Sequence, residues 1–303
     1  MTVHVVTDSS SCLPAEAAQR AGVTVLPLHT SGEDEERSTA GLGSLELAAA
    51  YARLLEQGGD EGVVAIHVSK ELSATWSNAV TAAGVFDRTV KVLDTQSAGM
   101  VLGFAAVRAG EVAQAGGDLE EVEAAARAVI HSGNTWLYVH KLEALRRGGR
   151  LSTGQRLLST ALAIKPILHL SEGRLDLAAK TRTRAKAFDK LVDMVRTVVV
   201  GEAEHAASVG ESPRVVLVAI HDSEAVEAAD ALRDRMVDMI AAVREEAAGG
   251  GARRDGGGKK DEGAGLSSEL PRVEFMRVEL SAAVAVHTGP GAVAVSTALV
   301  PAE

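Results

Sequence analysis

Short apolar runs alternate with helical segments through the first half of the chain, and this alternation is the strongest constraint on its fold. Polar turns separate each run from the helix that follows it. The predicted strands are residues 3–6, 23–28, 63–68, 90–93 and 136–139. Strands that alternate with helices are connected by right-handed crossovers and build a mainly parallel sheet. We therefore predict a mainly parallel α/β architecture for this half.

The second half combines strands and helices in a different order. Strands are predicted at residues 167–170, 215–220, 273–280 and 292–299, and a helix at residues 183–199. The last two strands are expected to pair through the turn at residues 287–291. Because 303 residues are enough for two packed cores, we predict two α/β domains, residues 1–150 and 151–303.

Two segments of the second half have compositions that do not favour packing. Residues 247–265 are rich in glycine and in Lys, Arg, Asp and Glu, with almost no apolar side chains to bury. Such a composition cannot offset the entropy lost on ordering. We predict a disordered insertion at 247–265 and a smaller loop of the same kind at 201–213.

Charge and cysteine content narrow the possible functions. The net charge of -10 argues against general nucleic-acid binding, which needs a clustered basic face. Cys12 is the single cysteine, so an intramolecular disulfide is impossible and a reducing, cytoplasmic location is expected. No secretory leader is expected, and residues 284–300, interrupted by His287 and Gly-Pro-Gly, make a poor membrane span. No phosphate loop, dinucleotide motif or metal-ligand spacing is recognisable, so we expect no cofactor and no metal.

Hydroxyl side chains cluster in the turns after three of the predicted parallel strands. These turns contain residues 9–11, then Ser69, Ser73 and Thr75, then Thr95 and Ser97. Ligands of open α/β sheets bind at this edge, where helix N-termini favour anions. The alternative is that the hydroxyls only cap helices, and for residues 9–11 and Ser97 we favour capping.

Five stretches carry a resemblance to a known family. One runs from residue 141 to 184 and contains KLEALRRGGRLS, IKPILHL and KTRTRAKAF. The others are VTDSSSCLP at 6–14, HVSKELSATWSNA at 67–79, VLDTQSAGM at 92–100 and HTGPGAVAV at 287–295. In this order they resemble the DegV family of bacterial fatty-acid-binding proteins, over nearly the whole chain. The resemblance implies an N-terminal and a C-terminal α/β domain with the lipid site between them.

The resemblance also implies a set of residues that bind the ligand's carboxylate. They are Ser73, His287, Arg182, Thr39 and Thr288. A histidine in a turn is by itself more often structural than functional, and the resemblance reverses that expectation for His287. For Arg182 the alternative is a solvated basic helix start.

Other residues of these motifs have less defined roles. Lys165 is a less specific candidate for the carboxylate site, while Arg146, Arg147 and Arg150 are expected to face a partner or form structural ion pairs. Ala74 replaces the glycine usual after the ligand-binding serine. The family's Thr-Ser-Gln-Pro-Ser segment reads RSTAGLGSLEL here, so Thr39 or Ser38 would supply the hydroxyl, although a gapless alignment places Ala40 there.

The function implied is that of a non-catalytic carrier in phospholipid metabolism. It would bury one long-chain fatty acid and present the carboxylate to a separate fatty acid kinase, which converts it to an acyl-phosphate. Transient contact with a membrane surface is expected to accompany this role. Two alternatives stay open: an enzyme, either a serine hydrolase using Ser73 and His287 or a phosphotransferase, and a lipid-responsive regulatory sensor.

Overall fold

The computed structural model describes residues 2–32, 37–59, 61–140, 142–151, 164–250 and 269–302. Its strands are β1 (His4–Asp8), β2 (Val23–Leu26), β3 (His29–Ser31), β4 (Ser38–Ala40), β5 (Val63–His67), β6 (Val90–Asp94), β7 (Asn134–Tyr138), β8 (Lys165–Ser171), β9 (Arg174–Thr181), β10 (Val215–Asp222), β11 (Val273–Glu279) and β12 (Val293–Val300). Its α-helices are α1 (Ala15–Arg20), α2 (Ser44–Gly58), α3 (Thr75–Ala83), α4 (Met100–Gln114), α5 (Leu119–Ser132), α6 (Glu143–Arg147), α7 (Arg184–Val209), α8 (Val226–Gly250) and α9 (Ala282–Thr288). The mixed α/β class predicted from the sequence is confirmed.

The first sheet has four parallel strands in the order β2-β1-β5-β6. Successive residues of β5 point to opposite faces, and both faces are covered: Val64 and Ile66 pack into one core, while Val63 and Ala65 pack into another. Double burial explains why the strands read as continuous apolar runs. The predicted parallel sheet is therefore correct for residues 3–6, 23–28, 63–68 and 90–93.

The second sheet has six strands in the order β11-β10-β12-β7-β8-β9 and is mixed. Its β7 strand, predicted at 136–139 as part of the first sheet, instead pairs antiparallel with β12 and β8. The prediction was wrong because Leu137 and Tyr138 bury opposite faces of the strand in different cores. A strand that is apolar on both faces fits the centre of either sheet. The domain division at residue 150 stays a prediction.

The last two strands do not pair with each other, contrary to the sequence-based expectation. The β10 strand lies between them, parallel to β11 and antiparallel to β12. The segment that connects β11 to β12 contains helix α9, and His287 lies in the last turn of that helix. A helix in the connection lets the chain cross β10 instead of turning back as a hairpin.

Two helices run further than predicted. The segment at 201–213 was expected to be a loop, but α7 continues to Val209 because Ala203 and Ala206 are buried and Glu202 pairs with Arg214 at 2.7 Å between Oε2 and Nη2. Helix α8 likewise extends to Gly250, so 247–250 are helical and not a disordered loop. The rest of the predicted insertion, 251–265, lies outside the described residues.

One apolar core joins the two sheets. It contains Ile66 and Phe104 from the first sheet and its helices, together with Leu168, Ala219 and Ala294 from the second sheet. The face of the second sheet that carries Ala219 and Ala294 is thus turned toward the first sheet. Within the described ranges, no helix is both long enough and apolar enough to cross a membrane.

Candidate functional site

A cavity of about 250 Å³ lies between the two sheets. Its wall is mainly aliphatic and includes Leu72, Leu137, Leu145, Leu170, Leu175 and Leu280. Among the described residues that line it, Arg150 is the charged one and none is an aspartate or a glutamate. The cavity therefore suits an apolar chain that ends in a negative charge.

The β3–β4 hairpin and helix α9 bring two of the predicted ligand residues together at this cavity. Thr39 Oγ1 lies 2.8 Å from His287 Nε2, across a sequence separation of 248 residues. Both side chains line the cavity, as does Ala40. It is therefore Thr39, and not Ala40, that places a hydroxyl beside the histidine.

Arg150 completes this polar group. Its Nε donates to the Leu72 carbonyl at 3.1 Å, and its Nη1 donates to the Gly148 carbonyl. Burial, together with the positive charge of Arg150, lowers the pKa of His287 to about 4. At neutral pH the imidazole is therefore uncharged, and Arg150 supplies the positive charge.

Close packing fixes the position of the histidine ring. A Cβ added to Gly148 would lie 2.5 Å from His287 Nδ1, closer than real Cβ atoms approach other atoms. The glycine at this position therefore makes room for the imidazole. We call Thr39, Arg150 and His287 the polar clamp.

Ser73 lies in the turn before α3 and also lines the cavity. Its Oγ is 2.9 Å from Thr75 Oγ1 and accepts a hydrogen bond from the Thr75 N–H at 3.2 Å. A Cβ on Gly41 would come within 3.1 Å of this Oγ. The chain thus approaches Ser73 closely, and the replacement of the family's glycine by Ala74 leaves the turn intact.

Of the three remaining candidate ligand residues, only Thr288 lines the cavity. Thr288 is buried and lines the cavity, but its Oγ1 donates to the Val284 carbonyl within α9 at 3.3 Å. Arg182 does not line the cavity: it is exposed and follows β9, the edge strand of the second sheet. Lys165 Nζ, also outside the cavity wall, donates to the His140 carbonyl at 3.1 Å.

Arg150 is the functional candidate that the sequence reasoning missed, because it was assigned to partner contacts or ion pairs. The signal was present in Gly148-Gly149-Arg150. Gly149 has a φ of +70°, in the left-handed region, which turns the chain after α6. This turn brings the Arg150 guanidinium back toward the Gly148 carbonyl and the cavity.

A second cluster of polar side chains lies at the end of β1 and is buried. Asp8 Oδ2 is 3.0 Å from His67 Nδ1, and His67 Nε2 is 3.0 Å from the Tyr51 hydroxyl. Asp8 also accepts hydrogen bonds from the backbone N–H of Ser10 and of Val68, both at 3.0 Å. Burial alone would raise the pKa of Asp8, but these interactions, led by His67, hold it below its usual value. We call Asp8, His67 and Tyr51 the sealed triad.

Cys12 has no feature of a catalytic thiol. It is buried in the turn after Ser11, and burial raises the pKa of its thiol to about 11. The thiolate form is therefore nearly absent at neutral pH. Its Sγ instead accepts a hydrogen bond from the Ser281 N–H at 3.4 Å, which ties the turn to the start of α9.

A family profile described as "Uncharacterised protein, DegV family" matches residues 29–246. A DegV domain-containing protein of Corynebacterium glutamicum is 42% identical over 297 residues, which is 98% of this chain and 93% of the relative.

Solved structures show the same fold. The crystal structure of a DegV family protein from Corynebacterium glutamicum superposes with a TM-score of 0.81 at 42% identity and covers 100% of both chains. A DegV family protein from Thermus thermophilus, described as fatty acid binding, has a TM-score of 0.78 at 27% identity over 99% of this chain and 100% of its own. The chain belongs to the DegV family.

Proposed function

We propose that the protein binds one long-chain fatty acid in the cavity between its sheets, with the carboxylate at the polar clamp. The observation that carries the proposal is an aliphatic cavity with Arg150 on its wall and no carboxylate among the described lining residues. The Thermus thermophilus relative described as fatty acid binding supports the same ligand class.

The clamp offers the two kinds of contact that a carboxylate needs. Arg150 provides a positive charge, and the Ser73 hydroxyl provides a hydrogen-bond donor. The Thr39–His287 pair provides one more donor, because one of its two hydrogens is used between Thr39 Oγ1 and His287 Nε2. Burial of the acyl chain contributes about 0.8 kcal/mol per CH₂ before the costs of binding. The chain thus supplies most of the affinity, and the clamp sets the orientation.

We further propose that the bound carboxylate is presented to a separate fatty acid kinase. Thr39, Arg150 and His287 also line a second cavity of about 260 Å³, together with Arg37, Arg147 and Pro290. The two cavities meet at the clamp, so a carboxylate held there is accessible from the side opposite the acyl chain. The partner would supply the nucleotide and Mg²⁺, and the product would be an acyl-phosphate.

This role places the protein between free fatty acids and phospholipid synthesis in the cytoplasm. A carrier that exchanges lipid with a bilayer makes transient contact with the membrane surface. The apolar cavity also suits an acyl-phosphate, because exclusion of water slows hydrolysis of a reactive intermediate.

The geometry gives less support to a serine hydrolase. Such an enzyme needs a hydrogen bond between the nucleophile and its base, but Ser73 Oγ pairs with Thr75 and His287 Nε2 pairs with Thr39. Among the described residues no hydrogen bond joins Ser73 to His287. A regulatory sensor would bind the same lipid but would not need a kinase.

Two measurements test the proposal. Lipid extracted from the purified protein should contain fatty acid at near one-to-one stoichiometry by mass spectrometry. Acyl-phosphate should form only when a bacterial fatty acid kinase, ATP and Mg²⁺ are all added to the loaded protein. Lipid-free protein that takes up no added fatty acid would refute the binding role, and acyl-phosphate or ester turnover without the kinase would refute the carrier role.

A further inference from the structure

The second cavity beside the polar clamp carries a cluster of positive charge. It measures about 260 Å³ and shares Thr39, Arg150 and His287 with the cavity between the sheets. Two further arginines, Arg37 and Arg147, line it as well, and both are exposed. Among the described residues of its wall, none is an aspartate or a glutamate. We call this space the outer cavity.

The apolar part of the outer cavity differs from that of the cavity between the sheets. Leucines dominate the wall between the sheets. The described apolar residues of the outer cavity are small, namely Ala144, Ala285, Val286 and Pro290. A wall of small side chains and arginines offers little surface for an acyl chain and suits a compact polar group.

Two helices end at the outer cavity, and their last carbonyls oppose an anion there. Arg147 is the last residue of α6, and His287 lies in the last turn of α9. A helix C-terminus carries a partial negative charge of about 0.5 elementary charge. The three arginines carry one full positive charge each. The cavity therefore stays net positive and favours an anion over a cation.

The kinase reaction of the proposed function would extend the ligand at the clamp. A carboxylate oxygen forms a bond to the γ-phosphorus of ATP, and the bond from that phosphorus to the ADP oxygen breaks, so ADP leaves and no proton is exchanged. The new phosphoryl group is attached to the end of the ligand that the clamp holds. Because the acyl chain fills the cavity between the sheets, this group needs space on the other side of the clamp. The outer cavity adjoins the clamp on that side.

We infer that the outer cavity is a subsite for the phosphoryl group of an acyl-phosphate, with Arg37 and Arg147 as its charged contacts, and that the protein binds acyl-phosphate more tightly than free fatty acid. This inference rests on the proposed function and specifies the form of lipid that the protein carries. Arg150 lines both cavities, so it can pair with the phosphoryl group once the carboxylate has become a neutral acyl carbonyl. The planar fork of a guanidinium matches two oxygens of a phosphoryl group.

The first experiment compares two ligands on the unmodified full-length protein after removal of bound lipid. One is octadecanoate, and the other is the β-keto phosphonate with the same acyl chain, in which a methylene replaces the labile bridging oxygen of the acyl-phosphate. The phosphonate should bind about two- to thirtyfold tighter at low salt, the range expected for two exposed ion pairs. The preference should shrink as salt is added. Equal or weaker binding of the phosphonate at low salt would overturn the inference.

The second experiment assigns the preference to the two arginines. Arg37→Gln and Arg147→Gln should each weaken phosphonate binding by about two- to fivefold and change octadecanoate affinity by less than about twofold. The double variant should lose the preference. Arg146→Gln is the matched control, because Arg146 is an exposed neighbour on α6 that lines neither cavity. A preference that survives in the double variant, or that falls equally in the control, would overturn the assignment.

A third experiment distinguishes acyl-phosphate from free phosphate as the source of the group. Inorganic phosphate is titrated by calorimetry into protein loaded with octadecanoate. It should bind far more weakly than the phosphonate, because no acyl chain tethers it to the site. Tight binding of phosphate to the loaded protein would assign the outer cavity to the free anion and overturn the inference.

The outcomes separate this inference from the proposed function. Failure of both octadecanoate and the phosphonate to bind would refute the carrier itself. Tight octadecanoate binding without a preference for the phosphonate would refute only the phosphoryl subsite. Slower phosphorylation by the kinase in the double variant, with the phosphonate preference intact, would make the two arginines contacts of the kinase and would likewise overturn the subsite.

Discussion

The polar clamp and the sealed triad both contain a histidine, but they differ in how completely the protein satisfies them. In the sealed triad, Asp8 and Tyr51 occupy both ring nitrogens of His67 at 3.0 Å. In the polar clamp, His287 Nε2 meets Thr39, while the described residues form no hydrogen bond to Nδ1. The triad is complete in the folded chain, and the clamp retains capacity for a ligand.

We infer from this difference that the sealed triad serves folding and that the polar clamp serves binding. Buried polar groups with all their partners stabilise one conformation, and removal of one partner is costly. A partly satisfied group beside a cavity costs some stability and gains a partner when the ligand enters. We therefore expect substitutions in the triad to act on folding and substitutions in the clamp to act on lipid affinity.

The largest effect is expected for Asp8→Ala. It removes the acceptor for His67 and for the Ser10 and Val68 N–H groups, so the free energy of unfolding should fall by about 3–5 kcal/mol. Denaturant unfolding measures this loss. The control Asp118→Ala removes an exposed helix cap and should cost about 0.5–2 kcal/mol. An Asp8→Ala cost no larger than the control's would mean that the triad does not stabilise the fold.

The next largest effect tests the choice between two arginines. Arg150→Gln should weaken fatty-acid binding by about 10- to 150-fold, because the buried carboxylate loses its charged donor. Arg182→Gln should change affinity by less than about twofold, within the small effects of surface substitutions. Titration of lipid-free variants with a fluorescent fatty acid measures both. The reverse result would restore the assignment of Arg182 made from the family motif.

Hydroxyl removal should produce a smaller loss of affinity. Ser73→Ala and Thr39→Val each take away one neutral hydrogen-bonding group, so each should weaken binding by about 5- to 12-fold, with Tm nearly unchanged. Thr30→Val, at an exposed position of the same hairpin, is the control. Unchanged affinity in both cavity variants would exclude a shared carboxylate site.

A single methyl group tests the packing of the clamp. Gly148→Ala would place Cβ 2.5 Å from His287 Nδ1 and displace the ring, so binding should weaken on the order of tenfold. Gly43→Ala is the control, since a Cβ there meets no atom within 4 Å and the backbone φ is -76°. If both variants bind equally well, the position of His287 is not critical.

The smallest expected effect is the uptake of a proton by His287 when the fatty acid binds. In the free protein the pKa of His287 is about 4, below its ordinary value of 6.5. A bound carboxylate raises that pKa, so binding should take up protons between pH 4 and pH 6.5, and affinity should rise as pH falls through this window. Calorimetry at pH 6 in buffers of different ionisation enthalpy measures the uptake. His287→Gln should abolish it, and persistent uptake would assign the proton to another group.

Much of the first sheet could be predicted from the sequence because the patterns that indicate its strands lie within short stretches of the chain. Each of its strands is a continuous apolar run followed by a polar turn and a helix, and this pattern specifies parallel strands with little ambiguity. The second sheet could not be predicted in the same way. Its β7 strand looks like any other buried strand, and its pairing with β12 depends on residues more than a hundred positions away.

Several residues of the cavity wall could be predicted from the sequence motifs. Ser73, His287, Thr39 and Thr288 all line the cavity. The family resemblance had selected all four, and the hydroxyl-rich turn after a predicted strand had also indicated Ser73. Arg182 and Arg150 show the limit, because both lie in basic segments and only the turn after α6 decides which one reaches the cavity.

The position of β12 between β10 and β7 has a consequence for biogenesis. During synthesis, β7 is made early and β12 late, and the ribosome must translate β8 to β11 between them. Until β12 emerges, the second sheet consists of two separate pieces, β11-β10 and β7-β8-β9, each with an unpaired edge. Such edges and the apolar surface beside them are prone to aggregation and are typical substrates for chaperones. The cavity between the sheets, whose wall includes Ala294 of β12, can therefore form only after β12 has been translated.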